Sequence, residues 1–171
     1  AIGADASNAR VLSNYAIFLH NERKDLDRAE EFFKKAIEAD PKNANRLSNY
    51  AIFLKPGRKD FDRSEKFYTK AIEADSTNCR LLCSYAIFLD DERKDFDRAE
   101  EFFKKAIEAD PENSGCLCNY AIFLKNEPKD FDRAEEFFKK AIEADPKNAD
   151  QLGRYAIFLH NERKDLDRAE E

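Results

Sequence analysis

A five-residue motif, Tyr-Ala-Ile-Phe-Leu, returns every 35 residues along this chain. Its copies begin at Tyr15, Tyr50, Tyr85, Tyr120 and Tyr155. The segment Lys-Asp-(Leu/Phe)-Asp-Arg recurs with the same spacing. A period of this length is typical of solenoids, in which each repeat buries its apolar face against its neighbours. We therefore interpret the 171 residues as one array with repeats at 9–43, 44–78, 79–113 and 114–148 and a partial repeat at 149–171, preceded by residues 1–8 as the tail of another repeat.

The first half of each repeat has the apolar spacing of an amphipathic helix. In the repeat 44–78, four apolar residues lie at i, i+3, i+4 and i+7, namely Leu47, Tyr50, Ala51 and Leu54. This spacing predicts a first helix. Asn43 stands just before it, where an N-cap residue is expected. Pro56-Gly57 is expected to break this helix.

The second half of each repeat predicts a second helix. In 44–78 its inward positions recur at helical spacing as Phe61, Ser64, Phe67, Tyr68, Ala71 and Ile72. Either Asp60 or Asp62 begins this helix, and the pattern does not decide between them. In the preceding repeat Asp40-Pro41 closes the unit, because the residue before a proline disfavours the α conformation. Two helices with short connections predict an antiparallel hairpin, so the fold is expected to be an all-α solenoid of tandem hairpins.

Composition excludes several functional classes. Hydrophobic residues make up 42% of the chain and charged residues 39%, with a net charge of −6. Acidic and basic residues alternate along the helices, so no basic surface for nucleic acid is predicted. No apolar run reaches the roughly 18 residues of a membrane span. Four cysteines are too few for a disulfide scaffold, which favours a reducing compartment such as the cytoplasm.

The repeat resembles the tetratricopeptide repeat. On the first helix the match is carried by Leu47, Tyr50, Ala51 and Leu54, and on the second helix by Ala29, Phe33, Ala36 and Pro41. The unit has 35 residues instead of the family's usual 34, with the extra residue in the turn inside the hairpin. The pentatricopeptide repeat, an RNA-binding relative of this length, fits less well, because the Ala–aromatic–Ala–Pro series and the acidic charge favour the protein-binding family.

The resemblance implies a right-handed superhelix whose first helices line a concave groove for peptides or partner helices. By the family's pattern, 18 groove-facing residues are Arg10, Ser13, Ile17, His20, Asn45, Ser48, Ile52, Lys55, Arg80, Cys83, Ile87, Asp90, Cys118, Ile122, Lys125, Asp150, Ile157 and His160, with Gly115 and Gly153 at two matching places. The five isoleucines predict either an apolar strip for a partner or a row covered by neighbouring aromatic side chains.

The family's carboxylate clamp for C-terminal acids is not expected in this groove. Its lysine is replaced by serine or cysteine, and its second asparagine is replaced by isoleucine. The residues at the lysine position are Ser13, Ser48, Cys83 and Cys118. Asn14, Asn49 and Asn119 are retained in the matching region, and Arg80 supplies a cation nearby.

The four cysteines are not predicted to form a zinc site. Cys79 and Cys83 share a helix face, but Cys116 and Cys118 are two residues apart on a helix and diverge, so the four thiols are expected to fill small packing positions. His20 and His160 lie four repeats apart and cannot form one site. No catalytic set, metal centre or cofactor motif is predicted, so the protein is expected to be non-enzymatic.

Two functions remain open, with RNA binding as a weaker third. The first is a protein-interaction scaffold that holds a peptide or partner helix in the groove. The second is a structural array that assembles head to tail, which is favoured by the near-identical repeats and by chain ends, at Ala1 and Glu171, that fall at complementary points within a second helix.

Overall fold

The protein is described here from a computed structural model, which covers residues 8–163. Nine α-helices account for most of this range, and it contains no strand. They are α1 (Ala9–Phe18), α2 (Leu26–Ala39), α3 (Ala44–Phe53), α4 (Phe61–Ala74), α5 (Cys79–Phe88), α6 (Phe96–Ala109), α7 (Ser114–Asn126), α8 (Phe131–Ala144) and α9 (Ala149–Phe158). The expected all-α fold of helical hairpins is confirmed. The first helices begin at the first residue of each predicted repeat.

Side-chain caps set where the helices begin. Asn43 precedes α3, and its side-chain oxygen accepts from the backbone N–H of Arg46 at 3.3 Å, as predicted. Asp60 precedes α4 and accepts from the N–H of Arg63 at 3.1 Å, so Asp60 and not Asp62 begins the second helix. Such caps satisfy backbone donors that a helix cannot satisfy itself.

The turn inside the hairpins differs from the predicted helix break. After α1 the chain continues as a π-helical turn, Leu19–Arg23, and the same turn follows α3, α5 and α9 as Leu54–Arg58, Leu89–Arg93 and Leu159–Arg163. Pro56-Gly57 lies within such a turn and does not break the helix before it. A π-turn holds more residues than an α-turn, which accommodates the extra residue of the 35-residue unit in the hairpins that have one.

A lysine in the left-handed conformation ends each of the first four turns. Lys24, Lys59, Lys94 and Lys129 have φ of 53–55°. The next residue then closes the turn: the N–H of Asp25 donates to the carbonyl of Leu19 at 3.0 Å. The fourth hairpin reaches the same closure without a π-turn, since the N–H of Asp130 donates to Leu124 at 3.0 Å.

The chain forms two compact units, unit 1 ending at Leu81 and unit 2 beginning at Leu82, within α5. In both units the helices of a hairpin meet at fully buried alanines, and an aromatic side chain fills the space to the next hairpin. Phe33 of α2 packs 5.1 Å from Phe53 and 5.8 Å from Tyr50. Phe103 repeats this contact in unit 2. Each such ring contributes roughly 1.5–3 kcal/mol by burial.

Candidate functional site

The faces of α1 and α3 that were predicted to line the groove adjoin one another in unit 1. The amide of Asn49 on α3 donates to the hydroxyl of Ser13 on α1 at 3.4 Å. One helical turn away from this contact lie Arg10 and Ile17 on α1 and Asn45 and Ile52 on α3. These residues therefore share one surface.

The predicted groove residues differ in how much of each is open to solvent. Four are buried: Ser13, Ser48, Cys83 and Cys118. Seven are half-buried: Ile17, His20, Lys55, Ile87, Asp90, Ile122 and Lys125. Seven are exposed: Arg10, Asn45, Ile52, Arg80, Asp150, Ile157 and His160. The four small residues thus do not face solvent, and in two of them an asparagine of the next first helix makes the contact: Asn49 with Ser13 and Asn119 with Cys83.

The isoleucine row is partly covered. Ile52 is 44% exposed and Ile157 is 59% exposed, whereas the other three are half-buried. Ile17 packs against the core of unit 1. Part of the row is therefore covered, and Ile52 and Ile157 are left open to solvent.

His20 lies next to this surface, in the turn that follows α1. Its ring meets the ring of Phe53 edge-on at 5.3 Å. Burial lowers the pKa of His20 below its ordinary value, and the nearby charge of Lys24 lowers it further. The imidazole is therefore neutral at pH 7 and adds no charge to the surface.

In unit 2 cysteines take the places of the serines. The Cys116 thiol donates to Cys83 and lowers the pKa of Cys83, against the effect of burial, and the amide of Asn119 also donates to Cys83 at 3.7 Å. Burial raises the pKa of Cys118. The Cys83–Asn119 contact reproduces the Ser13–Asn49 contact of unit 1. Among residues 8–163 no group of three or more His, Cys, Asp or Glu side chains could hold a metal ion.

Sequence reasoning missed a charged cluster between consecutive hairpins, which we call the glutamate junction. In unit 1 it consists of Glu30 on α2, Tyr50 on α3 and Arg63 on α4. The hydroxyl of Tyr50 donates to Glu30 at 3.0 Å, Arg63 donates to Glu30 at 2.9 Å, and Arg63 also contacts Tyr50. The recurrence of these three residues at 35-residue spacing was the signal available in the sequence.

The junction shifts the pKa of its carboxyl and its phenol. Burial raises the pKa of Glu30, but hydrogen bonds from Arg63, Lys34 and Tyr50 outweigh it and bring the pKa to about 2. Burial, and then the charge of Glu30, raise the pKa of Tyr50. The cluster thus holds one carboxylate charged and mostly covered from solvent, and its charge-assisted hydrogen bonds stabilise the contact between the hairpins.

Unit 2 contains the same junction in Glu100, Tyr120 and Arg133, with the same distances of 3.0 and 2.9 Å to the carboxylate. One partner differs. In unit 1 Arg58 also donates to Glu30 at 2.8 Å and to Asp27 at 2.7 Å, whereas Pro128 stands at the equivalent place in unit 2. The side chain of Glu30 is accordingly 12% exposed and that of Glu100 is 27% exposed.

Each unit also has an open cleft beside the turn that joins two hairpins. The unit 1 cleft, of about 530 Å³, is lined by Pro41, Lys42, Leu47, Lys70, Glu73 and Ala74. The unit 2 cleft, of about 330 Å³, is lined by the equivalent residues Pro111, Glu112, Leu117, Lys140, Glu143 and Ala144. Neither set brings a nucleophile next to a base.

Comparison with protein families identifies the repeat. Sequence models of the tetratricopeptide repeat match residues 9–43, 89–113 and 126–148 and, separately, residues 102–136, which together exceed half of the chain. This chain belongs to the tetratricopeptide repeat family. A model of the Sel1 repeat matches residues 45–76. Comparison with curated protein sequences finds no match.

Solved structures with tetratricopeptide repeats share the fold. PilF of Pseudomonas aeruginosa is 24% identical, with a TM-score of 0.80 over 98% of this chain and 74% of that one. Yeast Tom70 is 23% identical, with a TM-score of 0.83 over 98% of this chain and 35% of that one. YrrB, described as a TPR protein with an unusual peptide-binding site, is 21% identical, with a TM-score of 0.63 over 98% of this chain and 84% of that one.

The tetratricopeptide assignment fits the two layers seen in unit 1. The second helices supply the carboxylate and the guanidinium of the glutamate junction and the first helix α3 supplies its phenol, so the junction ties one hairpin to the next. The first helices carry the exposed residues Arg10, Asn45 and Ile52. Within residues 8–163 no helix is long and apolar enough to cross a membrane.

Proposed function

We propose that this protein is a non-catalytic interaction scaffold that binds a peptide or a helix of another protein on its first helices. The observation that carries the proposal is the exposure of Ile52. Its side chain is 44% exposed on the surface shared by α1 and α3, between amide and cationic side chains. An apolar centre with a polar rim is the arrangement found in protein interfaces.

The surrounding residues support a binding role because they are already held in place. Asn49 is fixed by its hydrogen bond to Ser13, and Phe53 beneath His20 is buried. Little side-chain freedom would be lost on binding at this centre, which favours affinity. The aliphatic side chain of a ligand that covers Ile52 would gain burial worth roughly 1–3 kcal/mol.

The test is a selection of binders from a phage-displayed library of random dodecapeptides on the immobilised chain. Selected peptides are labelled with fluorescein, and their Kd values are measured by fluorescence polarisation against Ile52→Ser. We expect binding to weaken about tenfold or more. Ile72→Ser is the matched control, since Ile72 is half-buried on the second helix α4. Peptides that bind Ile52→Ser as tightly as the unaltered chain would contradict the proposal.

Head-to-tail assembly is the second candidate function. The observation in its favour is that α9 exposes Leu152 (42%) and Ile157 (59%). The predicted complementary segments, 1–7 and 164–171, lie outside the described residues. Sedimentation velocity over a wide concentration range tests it: growth into long species that Ile157→Glu abolishes supports assembly, and a monomer at every concentration refutes it.

A further inference from the structure

We propose that Cys83 and Cys116 form a reversible disulfide that links two neighbouring first helices of unit 2 when the protein reacts with a peroxide. Cys83 lies on α5 and Cys116 on α7, and both belong to unit 2. Both side chains carry thiols in this structure. The inference adds a modification site that the proposed function does not require, so either can fail without the other.

Two contacts bring α7 against the sulfur of Cys83. The thiol of Cys116 donates a hydrogen bond to this sulfur, and the amide of Asn119 donates to it at 3.7 Å. Cys116 and Asn119 are three residues apart on α7, and residues at this spacing share one helix face. One face of α7 therefore makes both contacts. A disulfide requires two cysteines whose side chains point toward each other, and a direct hydrogen bond between the thiols satisfies this condition.

This pairing of two cysteines occurs at one of four equivalent places in the repeats. At the other three places at least one of the two cysteines is replaced. The equivalent pairs are Ser13 with Arg46, Ser48 with Leu81, and Cys118 with Gln151. The disulfide would therefore fix one contact between first helices and leave the contact of α1 with α3 unchanged.

Cys118 is the nearest alternative partner, but it lies on a different side of α7. It is two residues from Cys116, and residues at this spacing do not face the same way on a helix. Burial raises the pKa of Cys118, and the charge of Arg154 on α9 lowers it while that of Cys83 raises it. The net effect is a rise, so the thiol of Cys118 is harder to ionise than that of Cys83.

The surroundings of Cys83 favour its thiolate, which is the nucleophilic form. The hydrogen bond from Cys116 lowers the pKa of Cys83, burial opposes this, and the hydrogen bond from Asn119 lowers the pKa further. The thiolate attacks one oxygen of hydrogen peroxide, the O–O bond breaks, hydroxide leaves, and Cys83 becomes a sulfenic acid. The sulfur of Cys116 then attacks the sulfenic sulfur. An S–S bond forms, and the hydroxyl group leaves as water with the proton of Cys116. In total the two thiols lose two electrons and two protons, and the peroxide is reduced to two waters.

Peroxide must reach a sulfur that is covered from solvent. Cys83 and Cys116 are both buried. The side chain that lies against Cys83 is Asn119, which is itself half-buried, so rotation of this one side chain opens a path to the sulfur. Buried thiols react more slowly than exposed ones, so the reaction is expected to need an excess of peroxide over the protein.

The experiment treats the folded full chain with hydrogen peroxide, blocks remaining thiols with N-ethylmaleimide, and digests the product with trypsin without reductant. Trypsin places Cys83 in the peptide 81–93 and Cys116 in the peptide 106–125. Mass spectrometry is expected to find these two peptides linked, and dithiothreitol is expected to separate them. Fragment ions that cut between Cys116 and Cys118 identify which of the two is bonded.

Cys116→Ser is expected to abolish the link, whereas Cys118→Ser, on the same helix, is the matched control and is expected to keep it. Oxidation is expected to raise the urea midpoint of the unaltered chain and of Cys118→Ser by about 0.5 M or more, and to leave that of Cys116→Ser unchanged. A link that uses Cys118 or Cys79, or one that forms only after the chain has been unfolded in urea, would overturn the inference. Oxidation of Cys83 that ends at a sulfinic acid, or thiols that all remain reactive toward N-ethylmaleimide after unfolding, would overturn it as well.

Discussion

The left-handed lysines offer a prediction whose sign follows from one dihedral angle. Lys24, Lys59, Lys94 and Lys129 have φ of 53–55° and are exposed, and none forms an ion pair with another residue within 8–163. Glycine is the residue that adopts this conformation without a steric cost. Replacement of each lysine by glycine is therefore expected to stabilise the fold.

The magnitude is a difference between two effects. An L-residue in the left-handed region costs roughly 1–2 kcal/mol, which glycine avoids. Glycine in turn gives the unfolded chain more freedom, which costs about 0.5–1 kcal/mol. The net gain is about 0.5–1 kcal/mol per turn, or roughly 2–4 kcal/mol for the variant with all four turns replaced.

Urea unfolding followed by circular dichroism measures this gain as a shift in midpoint at unchanged slope. Lys66→Gly is the matched control. Lys66 is an exposed lysine inside α4, where the same substitution is expected to cost about 1 kcal/mol. A fourfold glycine variant that unfolds at the same or lower urea concentration would refute the reasoning from backbone conformation.

Three further predictions concern single side chains. The carboxyl of Glu30 has a folded pKa of about 2, below its ordinary value of 4.5, so its stabilisation of about 3 kcal/mol is present above pH 4.5 and is lost as the pH falls toward 2. Glu30→Gln is expected to flatten the fall of the urea midpoint over this pH range. A variant whose pH profile is unchanged would contradict the stabilising role of the junction. Gly57→Ala is expected to lower the melting temperature by an amount equivalent to about 1–3 kcal/mol, because the added Cβ would lie 2.9 Å from the ring of Phe53. The Cβ of Gly153→Ala would meet nothing within 4 Å, so this substitution is expected to stabilise α9 by about 0.5–1 kcal/mol. Equal effects at the two glycines would rule out the clash. Pro128→Arg is expected to add the ion pair that Arg58 makes with Glu30 and to raise the unfolding free energy by about 1 kcal/mol, a gain that should vanish when Glu100→Gln is combined with it in a double-mutant cycle.

The helical pattern was predictable from the sequence because it depends on residues close together in the chain. The cap at Asn43 and the inward positions Leu47 and Ala51 follow from local spacing and side-chain chemistry. The choice of Asp60 over Asp62 as the cap that begins the second helix could not be predicted from local spacing, since both stand at the start of the same apolar run. It depends on where the turn before α4 closes, and that turn is π-helical.

The candidate surface was only partly predictable for a related reason. Whether a groove position is open depends on what the next repeat places over it. Ser13 was expected to face the groove and is buried, because Asn49, 36 residues later, reaches across it. The glutamate junction was missed because Glu30, Tyr50 and Arg63 belong to three different helices, and spacing within one helix does not show that they meet.

The glutamate junction also explains how such an array can grow. In both described junctions the acid comes from one hairpin and the phenol and guanidinium come from the next, and the sequence repeats all three residues every 35 positions. Duplication of a whole 35-residue unit inserts both halves at once and creates a new junction from residues already present. A gene encoding this repeat can therefore lengthen by tandem duplication without any compensating substitution at the new boundary.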